Sequence, residues 1–238
     1  MNPFDLPPLA ALLEAAASAL TALSAVVTPA GAIVVVTILV RAVLIPVGVS
    51  VAKAARGRRR LAPKLAELQR RYRRDPQRLQ KATLELYAAE KASPFAGCLP
   101  MLAQAPVLAL VYALFASATI GGAPNHLLEA TFLGVGLGRH LGDLAGGVLP
   151  GDIAFLVILV VLGVAAWLGR RLTLRDAVAP PTGGPSAGAL LDPRGALSWT
   201  PFLVLIGAAV VPLAAGIYLA VSGVWTCVER HVLRAVYA

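Results

Sequence analysis

The sequence predicts an all-α fold: a polytopic membrane protein built as a five-transmembrane-helix bundle with a cytosolic antiparallel helical hairpin. Three observations lead there. First, 58% of the 238 residues are hydrophobic and only 14% are charged, above the roughly half-apolar composition of soluble domains, and the apolar residues come in long blocks. Second, the formal charge of +9 is confined to one segment. Residues 53–91 hold thirteen Lys/Arg against four Asp/Glu, and the rest of the chain holds eight of each. A nucleic-acid-binding protein would not be expected to spend its remaining length on apolar blocks. Third, the run GAIVVVTILVRAVLIPVGVSV over 31–51 is long enough to cross a bilayer and carries Arg41 at its middle. A guanidinium at that depth costs about 2.5 to 3.5 kcal/mol on insertion scales, so it is expected to face a polar cavity or a partner. Snorkelling cannot rescue it, because Lys53 lies twelve residues on, about 18 Å of helix.

Residues 1–29 are expected outside, with 7–26 as an Ala/Leu-rich interfacial helix set off from the first span by Thr28-Pro29; a true span over 7–26 is the competing reading. No cleavable signal is expected, since the first charges are Asp5 and Glu14 and there is no basic leading region. The first span covers 30–51. Residues 52–97 form the cytosolic hairpin. Leu61, Leu65, Leu68 and Tyr72 mark a seam on one arm, Leu79, Leu86 and Tyr87 continue it on the other, and Asp75-Pro76 supplies the turn. Its basic face, Arg58, Arg59, Arg60, Arg70, Arg71, Arg73 and Arg74, suits anionic lipid headgroups or ribosomal RNA; the bland alternative is a solvated charged surface.

The second span, 98–119, contains Gln104 and Pro106; an amide in hydrocarbon needs a hydrogen-bond partner, from a neighbouring helix or from cavity water and substrate. Residues 120–151 read as an external, partly interfacial loop, because Arg139, His140, Asp143 and several glycines argue against a span. His140 has no second histidine or cysteine nearby and reads as a surface residue, so no metal site is expected. The third span, 152–169, stops at Arg170 and Arg171, and 170–197 is a Pro/Gly-rich cytosolic loop. One tilted helix over the last apolar block is an alternative, but Pro212 and Gly216 favour two spans at 198–213 and 214–229, followed by a cytosolic tail, 230–238. Charge bias fixes the count at five: with the basic hairpin inside, splitting the last block keeps Arg230 and Arg234 inside as well. Cys98 and Cys227 are expected to be reduced thiols near cytosolic helix ends.

No nucleotide or cofactor motif is present. GVGLG lacks the spacing of a dinucleotide fingerprint, and no G-x-x-x-x-G-K-[ST] occurs. Thr37, Arg41 and Gly48 would share a face of a continuous first span, and Tyr218, Ser222, Trp225 and Glu229 form a similar stripe on the last. Glu229, near a helix end, is placed to tune the entrance to such a polar surface more readily than to neutralise Arg41.

Several stretches together resemble the YidC membrane protein insertase family, which has mitochondrial and chloroplast relatives. TILVRAVLIP matches the family's arginine, at Arg41, and its following proline, at Pro46. The hairpin with its Asp-Pro turn leads into PFAGCLP, similar to the family's Pro-x-x-G-C-x-P entry to the next span. PLAAGIYLAVSGVW resembles the family's Pro-Ala-Gly-Leu-x-x-Tyr-Trp segment, with Tyr218-Leu219 where the family has Tyr-Trp. The resemblance implies a hydrophilic groove open to the cytosol and to lipid, lined here by Arg41, Thr37, Gln104, Tyr218, Ser222 and Trp225. It implies a bacterial plasma-membrane protein, not an enzyme and with no cofactor, that inserts nascent membrane proteins into the bilayer without nucleotide hydrolysis. Expected partners are nascent membrane proteins, anionic headgroups, the ribosome weakly, because only Arg230, His231 and Arg234 stand where a long basic tail would dock, and the Sec translocon as a candidate. A monomer is expected. The competing readings are a small-anion transporter using Arg41 and Gln104, disfavoured by the absence of repeated halves and by an idle hairpin, an intramembrane enzyme, disfavoured by the lack of paired acids at depth, and a purely structural scaffold.

Overall fold

The computed structural model describes residues 7–72, 74–90, 99–141, 152–176 and 196–237. They are mostly helical: α1 Pro7–Ser24, α2 Pro29–Val43, α3 Ile45–Arg71, α4 Pro76–Ala89, α5 Leu99–Ala116, α6 Asp152–Asp176, α7 Leu203–Val210 and α8 Leu213–Tyr237. Two small antiparallel pairs, β1 Thr119–Ile120 with β2 Ala123–Pro124 and β3 Thr131–Phe132 with β4 Val135–Gly136, lie between α5 and α6. A 3₁₀ turn, Ala196–Phe202, precedes α7. Two compact units are distinguished. One holds the chain up to Leu44, Ala103–Ala166 and Phe202–Thr226; the other holds Ile45–Leu102, Trp167–Pro201 and the chain from Cys227 onward.

The first unit has the apolar core. Leu13 and Leu20 of α1, Ile33 of α2, Leu114 and Phe115 of α5, Phe155, Ile158 and Leu162 of α6, and Leu213, Ile217 and Tyr218 of α8 are buried together. The outward side of α6 is apolar too: Ile153, Leu156, Val157, Val160 and Val164 are exposed along one helical stripe. An apolar stripe facing outward opposite a packed one suits lipid as the surrounding solvent. Gly216 and Gly223 let α8 lie close to α6, where a Cβ would meet Ile158 and Ala165 at 3.4 Å and Leu162 at 4.0 Å.

The β pairs have local causes. Gly121 and Gly122, at φ of 58° and 80°, supply the two left-handed positions of a tight hairpin turn between β1 and β2. At the second turn Leu133 takes φ 51° beside Gly134 at 82°. Asn125 ties this loop to the end of α5. Its Nδ2 donates to the carbonyls of Leu114 at 2.6 Å and Ser117 at 2.8 Å, and its Oδ1 accepts from Leu127 N. Further along, the carbonyls of Arg139 and Leu137 accept from the amides of Leu213 and Ala214, at 2.9 and 3.0 Å. The loop thereby caps the first turn of α8, whose leading N–H groups have no partner within their own helix.

In the second unit, α3 and α4 are joined through Tyr72–Asp75. Asp75 caps α4 by accepting from Arg78 N at 3.0 Å, with Pro76 at the first helical position where its missing N–H costs nothing. Lys64 of α3 pairs with Glu90 just beyond α4, and Leu61 is buried. Arg60, Arg70, Arg71 and Arg74 are exposed. Arg73 and the side chains of Arg58 and Arg59 lie outside the described residues, as does Cys98.

Two features depart from the sequence reading. The span expected over 30–51 is broken: α2 ends at Val43 and α3 starts at Ile45. Pro46 has no amide to donate to residue 42, and its ring crowds that carbonyl, which favours a break just ahead of it. Before α7 the chain is 3₁₀, which leaves that helix only eight residues. α1, for which the sequence leaves interfacial and spanning placements both open, is by length and composition apolar enough to cross a membrane. Among the described residues that property is shared by α6, and by α2 with the start of α3 if the broken pair is counted as one span.

Candidate functional site

Arg41 sits in the last turn of α2 and is partly buried. One of its terminal nitrogens, Nη2, donates to the backbone carbonyl of Ser222 in α8 at 3.2 Å. The same carbonyl accepts from Thr226 Oγ1 at 2.8 Å, so it draws two side-chain donors onto one point of α8. One turn before Ser222, the Tyr218 hydroxyl lies within reach of the Ser222 side chain and of the Arg41 charge. Tyr218 and Ser222 are 2% and 4% exposed. Among the described residues, the Ser222 Oγ and the Trp225 Nε1 are buried without a hydrogen bond of ordinary geometry. Buried polar atoms in that condition are costly, about 1 to 3 kcal/mol each, and at functional sites they are the groups a ligand or water satisfies.

The helices place these groups by simple periodicity. Tyr218, Ser222 and Trp225 are spaced by four and three residues and so share one face of α8. Thr37 is one turn from Arg41 on α2, but its hydroxyl donates to Ile33 O at 2.6 Å and it is 2% exposed. Its donor is therefore used within its own helix. The face expected to join Thr37, Arg41 and Gly48 holds for the first two only, since the break at Leu44 puts Gly48 on α3, in the second unit. There Gly48 abuts the Glu229 carboxylate, which a Cβ at position 48 would strike. The Gln104 side chain lies outside the described residues. Alongside Thr37 and Tyr218 runs a small apolar cleft of about 30 Å³, lined by Leu20, Ile33, Val36, Val40, Val107, Val111 and Phe115.

Sequence reasoning missed Thr226 and Asn125. Thr226 had a usable signal, its i+4 spacing from Ser222; Asn125 had none, because its partners are carbonyls that only the folded loop brings near. Among the described residues no group of three or more His, Cys, Asp or Glu side chains is arranged to hold a metal ion.

A mostly helical chain with long apolar helices is consistent with the class of all-α membrane proteins, and within its first unit Arg41 of α2 is held on α8. Comparison with known proteins narrows it. The family model described as 60Kd inner membrane protein matches residues 23–238, and the chain belongs to that family. Over 94 residues it is 40% identical to a membrane protein insertase YidC of Burkholderia vietnamiensis, and 39% identical to proteins of the same name from Burkholderia cenocepacia and Burkholderia multivorans. Those residues are 39% of this chain and 17% of each relative.

Proposed function

We propose that the chain is a membrane protein insertase, taking nascent membrane proteins from the cytosol into the bilayer through a hydrophilic surface on which Arg41 is the essential charge. The observation that carries this reading is the anchoring of the Arg41 guanidinium on Ser222 O, with Tyr218 and Ser222 beside it in a mostly apolar core. Membership of the family and the name of its relatives support it. In this reading the chain crosses a bacterial plasma membrane five times, with α1 at the outer interface, α3 and α4 forming a cytosolic hairpin, and the C-terminus inside.

Arg41 attracts the acidic residues of a short segment bound for the outside. At an effective dielectric near 20, unit charges about 4 Å apart interact by about 4 kcal/mol. That offsets much of the desolvation of one carboxylate without trapping it. The substrate's own apolar helix then moves sideways into lipid, and the transfer of apolar surface drives the step, so no nucleotide is consumed. The exposed arginines of α3 and its turn, Arg60, Arg70, Arg71 and Arg74, meet anionic headgroups or, weakly, the ribosome.

The test is rescue of cells depleted of their own insertase by Arg41→Ala and Arg41→Lys. Alanine should fail for substrates with acidic external tails; lysine should rescue partially, keeping the charge but losing the planar donor fork. Full rescue by alanine would defeat the electrostatic role.

A further inference from the structure

A second cationic feature lies where α6 leaves its apolar run, in the unit that contains Trp167–Pro201. Arg171 stacks on Trp167, one turn before it, with its guanidinium carbon 3.8 Å from the ring centroid. Arg170 stacks on Trp199 of the 3₁₀ turn at 4.4 Å. Its Nε also donates to Ser198 Oγ at 3.3 Å, a hydroxyl on a residue only 1% exposed. Both indoles remain open to the surroundings, at 43% and 56% exposure. Stacking occupies the face of a guanidinium and orients its edge, along which the N–H fork matches a phosphate bidentately.

Position along the helix selects the phosphate's source. From Ile153, the first residue of the exposed apolar stripe, to Arg170 is seventeen residues, about 26 Å of helix. With the stripe in hydrocarbon about 30 Å thick, the two arginines emerge at headgroup level, the depth that tryptophan also prefers. We propose that Arg170 and Arg171, stacked on Trp199 and Trp167 and steadied by Ser198, form a headgroup site for an anionic phospholipid. The guanidinium edges hold the phosphodiester, and the indoles cover the glycerol and the first methylenes. The proposal requires only that α6 cross a bilayer and is independent of the insertase reading.

It is tested on the purified full-length chain carrying Trp225→Phe, so that of the three tryptophans only the two at this site report. The protein is reconstituted in phosphatidylcholine liposomes containing equal mole fractions of brominated phosphatidylglycerol or, separately, brominated phosphatidylcholine. Quenching should be markedly stronger with the anionic lipid. Arg170→Gln with Arg171→Gln should cut that preference by about fivefold for each charge removed, with circular dichroism unchanged. Soluble glycerophosphoglycerol in excess should not reverse it. Equal quenching by the two lipids in the parent, an unaltered preference in the folded double variant, or full competition by the soluble phosphodiester would each overturn the assignment. No nascent chain is present in this assay, so its outcome is separate from that of the Arg41 rescue.

Discussion

Replacing Asn125 by alanine should destabilise the first unit by about 2 to 4 kcal/mol, and the figure comes from its partners. Asn125 is 8% exposed and makes three side-chain hydrogen bonds, to Leu114 O, Ser117 O and Leu127 N. Each contributes about 0.5 to 1.5 kcal/mol net, and a buried partner left unsatisfied adds about 1 to 3. Two of the three are carbonyls at the end of α5, which lack helical partners of their own. The effect should spread to the site, because the same loop caps α8 through Leu137 O and Arg139 O, and α8 carries Tyr218 and Ser222. Asn125→Asp is the sharper variant: it still accepts from Leu127 N but cannot donate to either carbonyl, so it should be at least as harmful as alanine. Reversible unfolding in mixed micelles measures the loss, and insertion of a model substrate at a temperature where the variant remains folded measures its transmission. An Asn125→Ala protein within about 0.5 kcal/mol of the parent would refute the view that this amide holds the loop against α5.

Gly48→Ala should cost the second unit less than about 1 kcal/mol, since the new methyl meets only the end of the flexible Glu229 side chain, which can swing aside; adding Glu229→Ala should abolish that cost, which a double-mutant cycle in unfolding free energy detects. Thr37→Val should leave insertion nearly unchanged and cost about 1 kcal/mol of stability, because the hydroxyl's donor is used on Ile33 O; a loss of insertion with stability intact would mean that the hydroxyl meets substrate. Lys64→Ala, which breaks the exposed pair with Glu90, should cost less than about 1 kcal/mol, and the cost should fall further as salt rises.

What the sequence made legible and what it hid divide along physical lines. The helical character comes from apolar blocks too long to be anything else, and Arg41 stands out because a charge in such a block is expensive wherever the chain goes. The family could be read from the ordered spacing of TILVRAVLIP, the Asp-Pro turn and PFAGCLP. The break at Leu44 was less legible: Pro46 was visible, but proline is tolerated in membrane helices, and only packing decides between a kink and a new helix. The loop after α5 read as irregular because hairpins of two-residue strands leave no alternation to detect, although Gly121-Gly122 was a usable turn signal. Leu133 at φ 51° gave no warning at all, since an L residue with a branched apolar side chain is unexpected there. At the site, helical spacing put Tyr218, Ser222 and Trp225 on one face, whereas the bond from Arg41 to Ser222 O depends on how two distant helices pack.

Insertion by the proposed route turns on an acidic segment of a nascent chain reaching Arg41. Photocross-linking from position 222 to ribosome-stalled substrates tests this most directly, with the substrate's external acids present or neutralised and with Arg41 or Arg41→Ala in the insertase. The expected adducts need both charges: strong with acids and Arg41, and weakened when either is removed. Adducts of equal yield in all four combinations, or none in any while the same substrates still insert, would contradict it.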